Sequence, residues 1–187
     1  GNILWTKLYS ADSTEYITGY SGSLIESKNG DYLQCGAYVD HKAKTWNPLL
    51  MKVDKNGDTV WTKKYESLPN AGFASCVENS DGSIVLAGGI NDTNSVTGLD
   101  MLLVKTDSLG NFIWKKTYGG NLNDVAYSLV KTADGGYIVV GYRKLFAPND
   151  YAVYVVKTDS AGNMKWQKTF GGPDSDGAGA IIRTKDG

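Results

Sequence analysis

The chain has 187 residues, 41% of them hydrophobic, and a formal net charge of −1; that apolar content with so little net charge excludes a disordered chain. Lys and Arg are scattered among Asp and Glu, which leaves no basic stripe for nucleic acid and no polybasic patch for a membrane surface. No apolar run approaches the length of a membrane-spanning helix.

In chain order, the first element is WTKLY at Trp5, and it returns as WTKKY at Trp61, WKKTY at Trp114 and WQKTF at Trp166. Four residues before each Trp stands a Gly followed by Asn or Asp: Gly1, Gly57, Gly110 and Gly162. A second landmark keeps step at Asn29-Gly30, Asp81-Gly82, Asp134-Gly135 and Asp186-Gly187. The Trp intervals are 56, 53 and 52 residues and the turn intervals 52, 53 and 52. A period of this size with several short β-rich runs inside it is the signature of a propeller blade. Each unit is too small to bury a core alone and must stack on its neighbours.

The third unit shows the parts. AYSLVKT (126–132), YIVVGY (137–142), YAVYVVKTD (151–159) and MKWQKTF (164–170) are joined by Gly-containing turns and one variable loop, which reads as alternating β-hairpins. The expectation is an all-β, β-propeller-like array of four-stranded antiparallel blades in an open partial ring. It has a lone strand at 3–9, blades at about 21–65, 73–118 and 125–170, and a lone strand at 178–184, fourteen strands in all. Trp5 lies 19 residues from Leu24, against 15 in the other units, which predicts an insertion in the connection around SADSTEYITGY. The chain begins and stops inside a repeat, and is expected to be a segment of a longer protein, so a signal peptide cannot be sought in it.

Residues that recur in every unit have structural explanations. Asp54, Asp107 and Asp159 open D-x-x-G turns, where a carboxylate can accept its own downstream amides, and Gly57, Gly110 and Gly162 supply the positive φ. The Asn56-Gly57-Asp58 stretch lacks the further oxygens of a calcium loop. Periodic Trp residues are expected to pack between blades, and Lys52, Lys105 and Lys157 to lie on a solvated edge or pair with a neighbouring blade. Cys35 and Cys76 fall at core positions and are expected buried and unpaired.

The stretch KTDSLGNFIW (105–114) resembles the Trp-docking repeat of pyrroloquinoline-quinone propellers. The longer pattern WKKTYGG…D…SLVKT-x-DGGYIVVGY resembles a bacterial propeller-repeat family common in secreted and cell-surface proteins. The resemblance implies that the four strands of a blade run A, B, C, D from the inner edge outward. It also implies an extracellular or cell-surface location, and it carries no activity with it.

With that order the A–B and C–D turns share one face, and the long B–C and D–A connections the other. Function in β scaffolds sits on such variable loops. The B–C loops VDHKAKTWNP (39–48), INDTNSVTGLD (90–100) and RKLFAPND (143–150) offer His41, Trp46, Asn94, Phe146 and Asp150 as candidate binding residues, beside Lys42, Asp92 and Lys144. Trp46, with no counterpart in the other units, and Phe146 would be apolar or sugar-stacking platforms, with Asn94 and Asp150 making polar contacts. The lone His41 has no second His to complete a metal site. Asn123-Asp124 and Ser175-Asp176 are expected to cap the start of strand A.

The expected function is a non-catalytic interaction module for a protein or glycan, with no cofactor, no metal and no catalytic residues, and self-association through open blade edges is a further expectation. The competing class is a glycoside hydrolase propeller, whose chemistry needs two carboxylates about 5–10 Å apart; Glu66, Asp92 and Asp150 are the non-repeating acids. A quinone-dependent dehydrogenase would rest on fold analogy alone.

Overall fold

The computed structural model describes residues 2–3, 5–9, 14–18, 23–68, 70–91, 98–145, 150–172 and 174–185. Among them are thirteen strands and no helix. They are β1 (Thr14–Thr18), β2 (Leu24–Glu26), β3 (Tyr32–Asp40), β4 (Thr45–Val53), β5 (Thr59–Lys64), β6 (Ala71–Glu78), β7 (Ile84–Ile90), β8 (Asp100–Thr106), β9 (Phe112–Tyr118), β10 (Asp124–Lys131), β11 (Tyr137–Lys144), β12 (Tyr151–Thr158) and β13 (Met164–Phe170). They form three antiparallel blades. The second runs β6-β7-β8-β9 and the third β10-β11-β12-β13, while in the first β1 and β2 share one edge of β3, followed by β4 and β5. Among the described residues the blades do not close into a ring.

Burial follows from stacking. In the middle blade the runs IVLAGGI and DMLLVKT are buried at nearly every position, because both faces of that sheet are covered. In β12, YAVYVVKT alternates strictly between half-buried and buried, because blade 3 is fully covered on one face only. The core is correspondingly two layers. One joins Leu33, Cys35 and Leu50 of blade 1 to Phe73, Cys76, Leu86 and Val104 of blade 2. The other joins Val85, Ala87 and Leu103 of blade 2 to Leu129, Val139, Tyr154 and Val156 of blade 3. Strand A is the inner strand by its contacts, since β6 packs on β3 and β4, and β10 on β6, β7 and β8. Strand D is outermost, and β13 is exposed along its whole length.

Strand A carries a bulge after Phe73 and after Ala126. There the chain approaches strand B so closely that a Cβ on Gly88 or Gly141 would stand 1.8 Å from the Gly72 or Val125 carbonyl oxygen. Blade 1 places most of its extra length at this point. Thr18 pairs with Gly36 and Leu24 with Gln34, and the Cys35 N–H donates to the Ser23 carbonyl at 2.7 Å. Five positions therefore separate Thr18 from Ser23, where two separate Phe73 from Ser75. The insertion expected in the D–A connection thus interrupts strand A instead, and Thr14–Thr18, expected as loop, is paired strand β1. Its TEYIT sequence has the β-branched and aromatic content that a ladder favours.

Of the flanking strands expected at 3–9 and 178–184, residues 5–9 and 178–184 lie beside blades 1 and 3 without ladder pairing among the described residues. Side chains hold the first on blade 1. The second touches blade 3 through Ala178 N–H to Gly141 O and Ile181 N–H to Ser128 Oγ, each 3.3 Å.

Candidate binding cleft and the blade interlock

The recurrent residues make one joint, used three times. Trp61 lies on the turn of the next blade, its ring 3.1 Å from where a Cβ on Gly110 would sit. Lys63 Nζ donates to Asn111 Oδ1 at 2.9 Å, and the Tyr65 hydroxyl to Gly110 O at 2.9 Å. Trp114, Lys116 and Tyr118 repeat this on blade 3, with Lys116 reaching Asn163 Oδ1 at 3.3 Å and Tyr118 reaching Gly162 O at 2.6 Å. Trp5, Lys7 and Tyr9 repeat it on blade 1, through Lys7 to Asp58 Oδ1 at 2.8 Å and Tyr9 to Gly57 O at 2.7 Å. The turn Gly has φ of 80°, 76° and 77° at Gly57, Gly110 and Gly162, and its missing side chain is what admits the indole.

The turns are built as expected from their Asp residues. Asp54 Oδ1 accepts the Asn56 and Asp58 amides, Asp107 Oδ1 those of Leu109 and Asn111, and Asp159 Oδ1 those of Ala161 and Asn163, all at 2.8–2.9 Å. These bonds stabilise the ionised form and hold the three carboxyls below the usual range: the Asp58 amide acts most on Asp54, the Asn111 side chain on Asp107 and the Asn163 amide on Asp159. Lys52 and Lys157 pair within their own blade rather than with a neighbouring one, with Asp31 at 3.1 Å and Asp134 at 2.7 Å.

On the opposite face a cleft of about 690 Å³ spans all three blades. Trp46 stands on the blade 1 side, Phe73 forms the floor, and Tyr127 and Tyr142 stand on the blade 3 side, with Asn70 and Asn91 between. Trp46 is 54% exposed. Tyr127 and Tyr142 are half-buried, their ring centroids 5.6 Å apart, and Tyr151 meets Tyr142 edge-on at 5.2 Å. Main-chain bonds fix the rim: Asn70 N–H to Trp46 O at 2.6 Å, Asn91 N–H to Asn70 O at 2.9 Å and Lys144 N–H to Asn123 O at 2.7 Å.

Trp46 is not a loop residue. It is the second residue of β4, opposite Val39. The same place at the start of strand C is held by Leu99 and Tyr151, so it does have counterparts. The Leu99 and Tyr151 carbonyls accept the Asp124 and Asp176 N–H, each at 2.6 Å, as the Trp46 carbonyl accepts that of Asn70. The two Asp carboxylates turn back to Gly120 and Gly172 amides at 2.8 and 2.9 Å, which accounts for the Gly-Gly…Asp spacing. Asp124 is buried and also accepts Arg143 Nε at 2.6 Å; burial raises its carboxyl pKa despite Arg143.

The other candidates are dispersed. His41 and Lys42 are exposed on the β3–β4 turn, which Asp40 caps by accepting the Lys42 and Ala43 amides at 2.9 Å each. Asp150 sits just before β12, its carbonyl accepting the Leu145 N–H at 2.8 Å and its Oδ1 buried without a hydrogen-bond partner among the described residues. Asn94, Phe146 and Asp92 lie outside the described residues. Of the three candidates among the described residues, His41, Trp46 and Asp150, Trp46 alone lines the cleft. Tyr127, Tyr142, Asn70 and Asn91 were missed. The tyrosines belong to strands that read as core, and no spacing in the sequence brings blade 1 to blade 3.

No protein-family model and no curated protein matches the sequence. Among solved structures, the chain is similar to a protein of unknown function from Bacteroides caccae. The identity is 13% and the TM-score 0.43, over 87% of this chain and 70% of the other. That likeness is too distant to bear on any residue.

Proposed function

We propose that this chain is a non-catalytic interaction module of the bacterial propeller-repeat kind, working outside the cell, that receives a glycan or protein partner in the cleft between Trp46 and the Tyr127–Tyr142 pair. The observation that carries the reading is the cleft's lining. Aromatic residues stand on two sides, and Asn70 and Asn91 line the cleft between them. Aromatic planes stack on the C–H faces of a sugar ring while amides meet its hydroxyls, so a glycan suits this lining best. A cleft of this size is in the range of small-ligand sites.

The test is a glycan array followed by calorimetry, with Trp46→Ala and Tyr142→Ala as paired variants. Both variants lose binding of the captured glycan. Trp46→Ala leaves stability within about 0.5 kcal/mol, as surface changes usually do. Hydrolysis of the captured glycan moves the chain to the enzyme class. Binding untouched by either variant removes the cleft as its site.

A further inference from the structure

The junction of blades 1 and 2 departs from that of blades 2 and 3 at three residues that line the cleft, Trp46, Asn70 and Ala71. At the second junction the Asn123 side chain is used inside the protein. Its Oδ1 accepts the Leu99 N–H at 2.8 Å, and the Asp124 N–H donates to the Leu99 carbonyl at 2.6 Å. Asn70 holds the place of Asn123 at the first junction, since its carbonyl accepts the Asn91 N–H at 2.9 Å as the Asn123 carbonyl accepts that of Lys144. Its conformation is different. Asn70 is left-handed, with φ of 57°, and its own N–H reaches the Trp46 carbonyl at 2.6 Å. Its exposed side-chain amide has no hydrogen-bond partner among the described residues.

The neighbouring residues change with it. Ala71 opens β6 where Asp124 opens β10, and so lacks the buried carboxylate that meets Gly120 N–H and Arg143 at the second junction. Among the described residues the lining of the cleft carries no charged side chain. Few residues other than Gly tolerate the left-handed region, and Asn is one of them. Both backbone groups of Asn70 are held by main-chain bonds, so the amide is the part of the residue left for a ligand. It offers one acceptor oxygen and two N–H donors, beside Trp46.

We propose, resting on the glycan reading of this cleft, that its ligand is a neutral saccharide and that Asn70 selects it, pairing its amide with two adjacent hydroxyls of a sugar ring stacked on Trp46. An acidic sugar would bring its charge into a lining that has no cation to meet it, and would lose hydration there with no compensating partner. A stacked aromatic plane reads little of the hydroxyl configuration, because it meets C–H faces. An amide oxygen and NH2 at fixed spacing accept from one hydroxyl and donate to the next, and so fit one arrangement of the two oxygens. The main-chain bonds of Asn70 fix where that amide starts, as a selecting group requires.

Calorimetry tests this on the chain itself, with neutral oligosaccharides of glucose, mannose, galactose and xylose set against polygalacturonate and heparin. The wild-type chain binds a neutral oligosaccharide and prefers it to the one that differs in the configuration of a single hydroxyl. Asn70→Gly keeps the left-handed backbone and its main-chain bonds, so its urea midpoint is at or above that of wild type. It binds at least about tenfold more weakly and no longer separates the two sugars. Asn70→Asp, which also tolerates that backbone and keeps acceptors without donors, shows the same loss. Wild-type affinity and preference in both Asn70 variants, while Trp46→Ala loses binding, overturn the role of Asn70 and leave the cleft as the site. Wild-type binding in Trp46→Ala and Tyr142→Ala as well removes the cleft. A lowered midpoint in Asn70→Gly makes the residue structural and overturns the proposal, as does binding of the acidic glycans alone or of none of the sugars.

Discussion

Tyr65 and Tyr118 show how much of this fold rests on single polar atoms in apolar surroundings. Each ring is buried and each hydroxyl donates to the carbonyl of a turn glycine in the next blade, and burial raises the pKa of both phenols. Tyr118→Phe removes the donor and leaves the Gly162 carbonyl unsatisfied in a buried joint. The expected loss is about 1–2 kcal/mol, read as a lower urea midpoint at unchanged slope. Acid acts on the turn carboxylates, of which Asp54, Asp107 and Asp159 hold the turns of these joints. Asp40, Asp54, Asp81, Asp107, Asp134 and Asp159 all have pKa values lowered in the folded chain by hydrogen bonds. A carboxyl depressed on folding contributes stability that is present above its unfolded pKa and lost as pH falls through the folded one. Thermal midpoints should hold from neutral pH to about 4 and fall steadily below it. Asp124 has the opposite sign, since its pKa is raised, so its protonation relieves a cost and offsets a part of the loss. A midpoint that is flat or rising below that pH would show that the turn carboxylates do not hold the blades.

At the scale of the strand, the bulge in strand A is the least replaceable feature. A methyl on Gly141 would stand 1.8 Å from the Val125 carbonyl oxygen, and neither strand can retreat from a ladder paired on both sides of the bulge. Gly141→Ala should cost more than about 2 kcal/mol, while Gly120→Ala, with nothing within 4 Å of the new carbon, should be tolerated; equal denaturation midpoints for the two would contradict the close approach. Strands B, C and D were legible from their β-rich runs and Gly turns. The split of strand A into β1 and β2 was not. Counting from Trp5 to Leu24 measures extra length but does not say which residues pair, and pairing is decided by the facing strand. The same reason hid the counterparts of Trp46. Leu99 and Tyr151 make the equivalent main-chain bond where strand C begins, but they follow loops of unequal length and differ from it in residue type.

For the whole molecule, stability lies between blades rather than within them. Cys35 and Cys76 make the point, since they come from different blades, are 0% and 2% exposed, and belong to one core layer. Both are free thiols, and burial pushes the Cys35 thiol well above its ordinary value. Thiol reagents should therefore label neither in the native state and both, together, on unfolding in denaturant. Labelling of one cysteine well before the other would mean that blades 1 and 2 do not share a common layer.

The amino-acid sequence by itself determined the blade, its period, its hairpin turns and the structural role of the repeated turn Asp and Gly and of the periodic Trp residues. Those properties come from local rules: β-rich runs, turn residues that need positive φ or accept their own amides, and a spacing that the chain repeats. Only the tertiary structure decided where the cleft opens and which side chains face it. Trp46 and Tyr142 are 96 positions apart, and they meet across one opening because three blades splay from their inner edges. That separation carries no periodic signal. Packing between blades, which set the joints of Trp61 and Trp114 in place, also placed two tyrosines from a core-like strand pair at the rim.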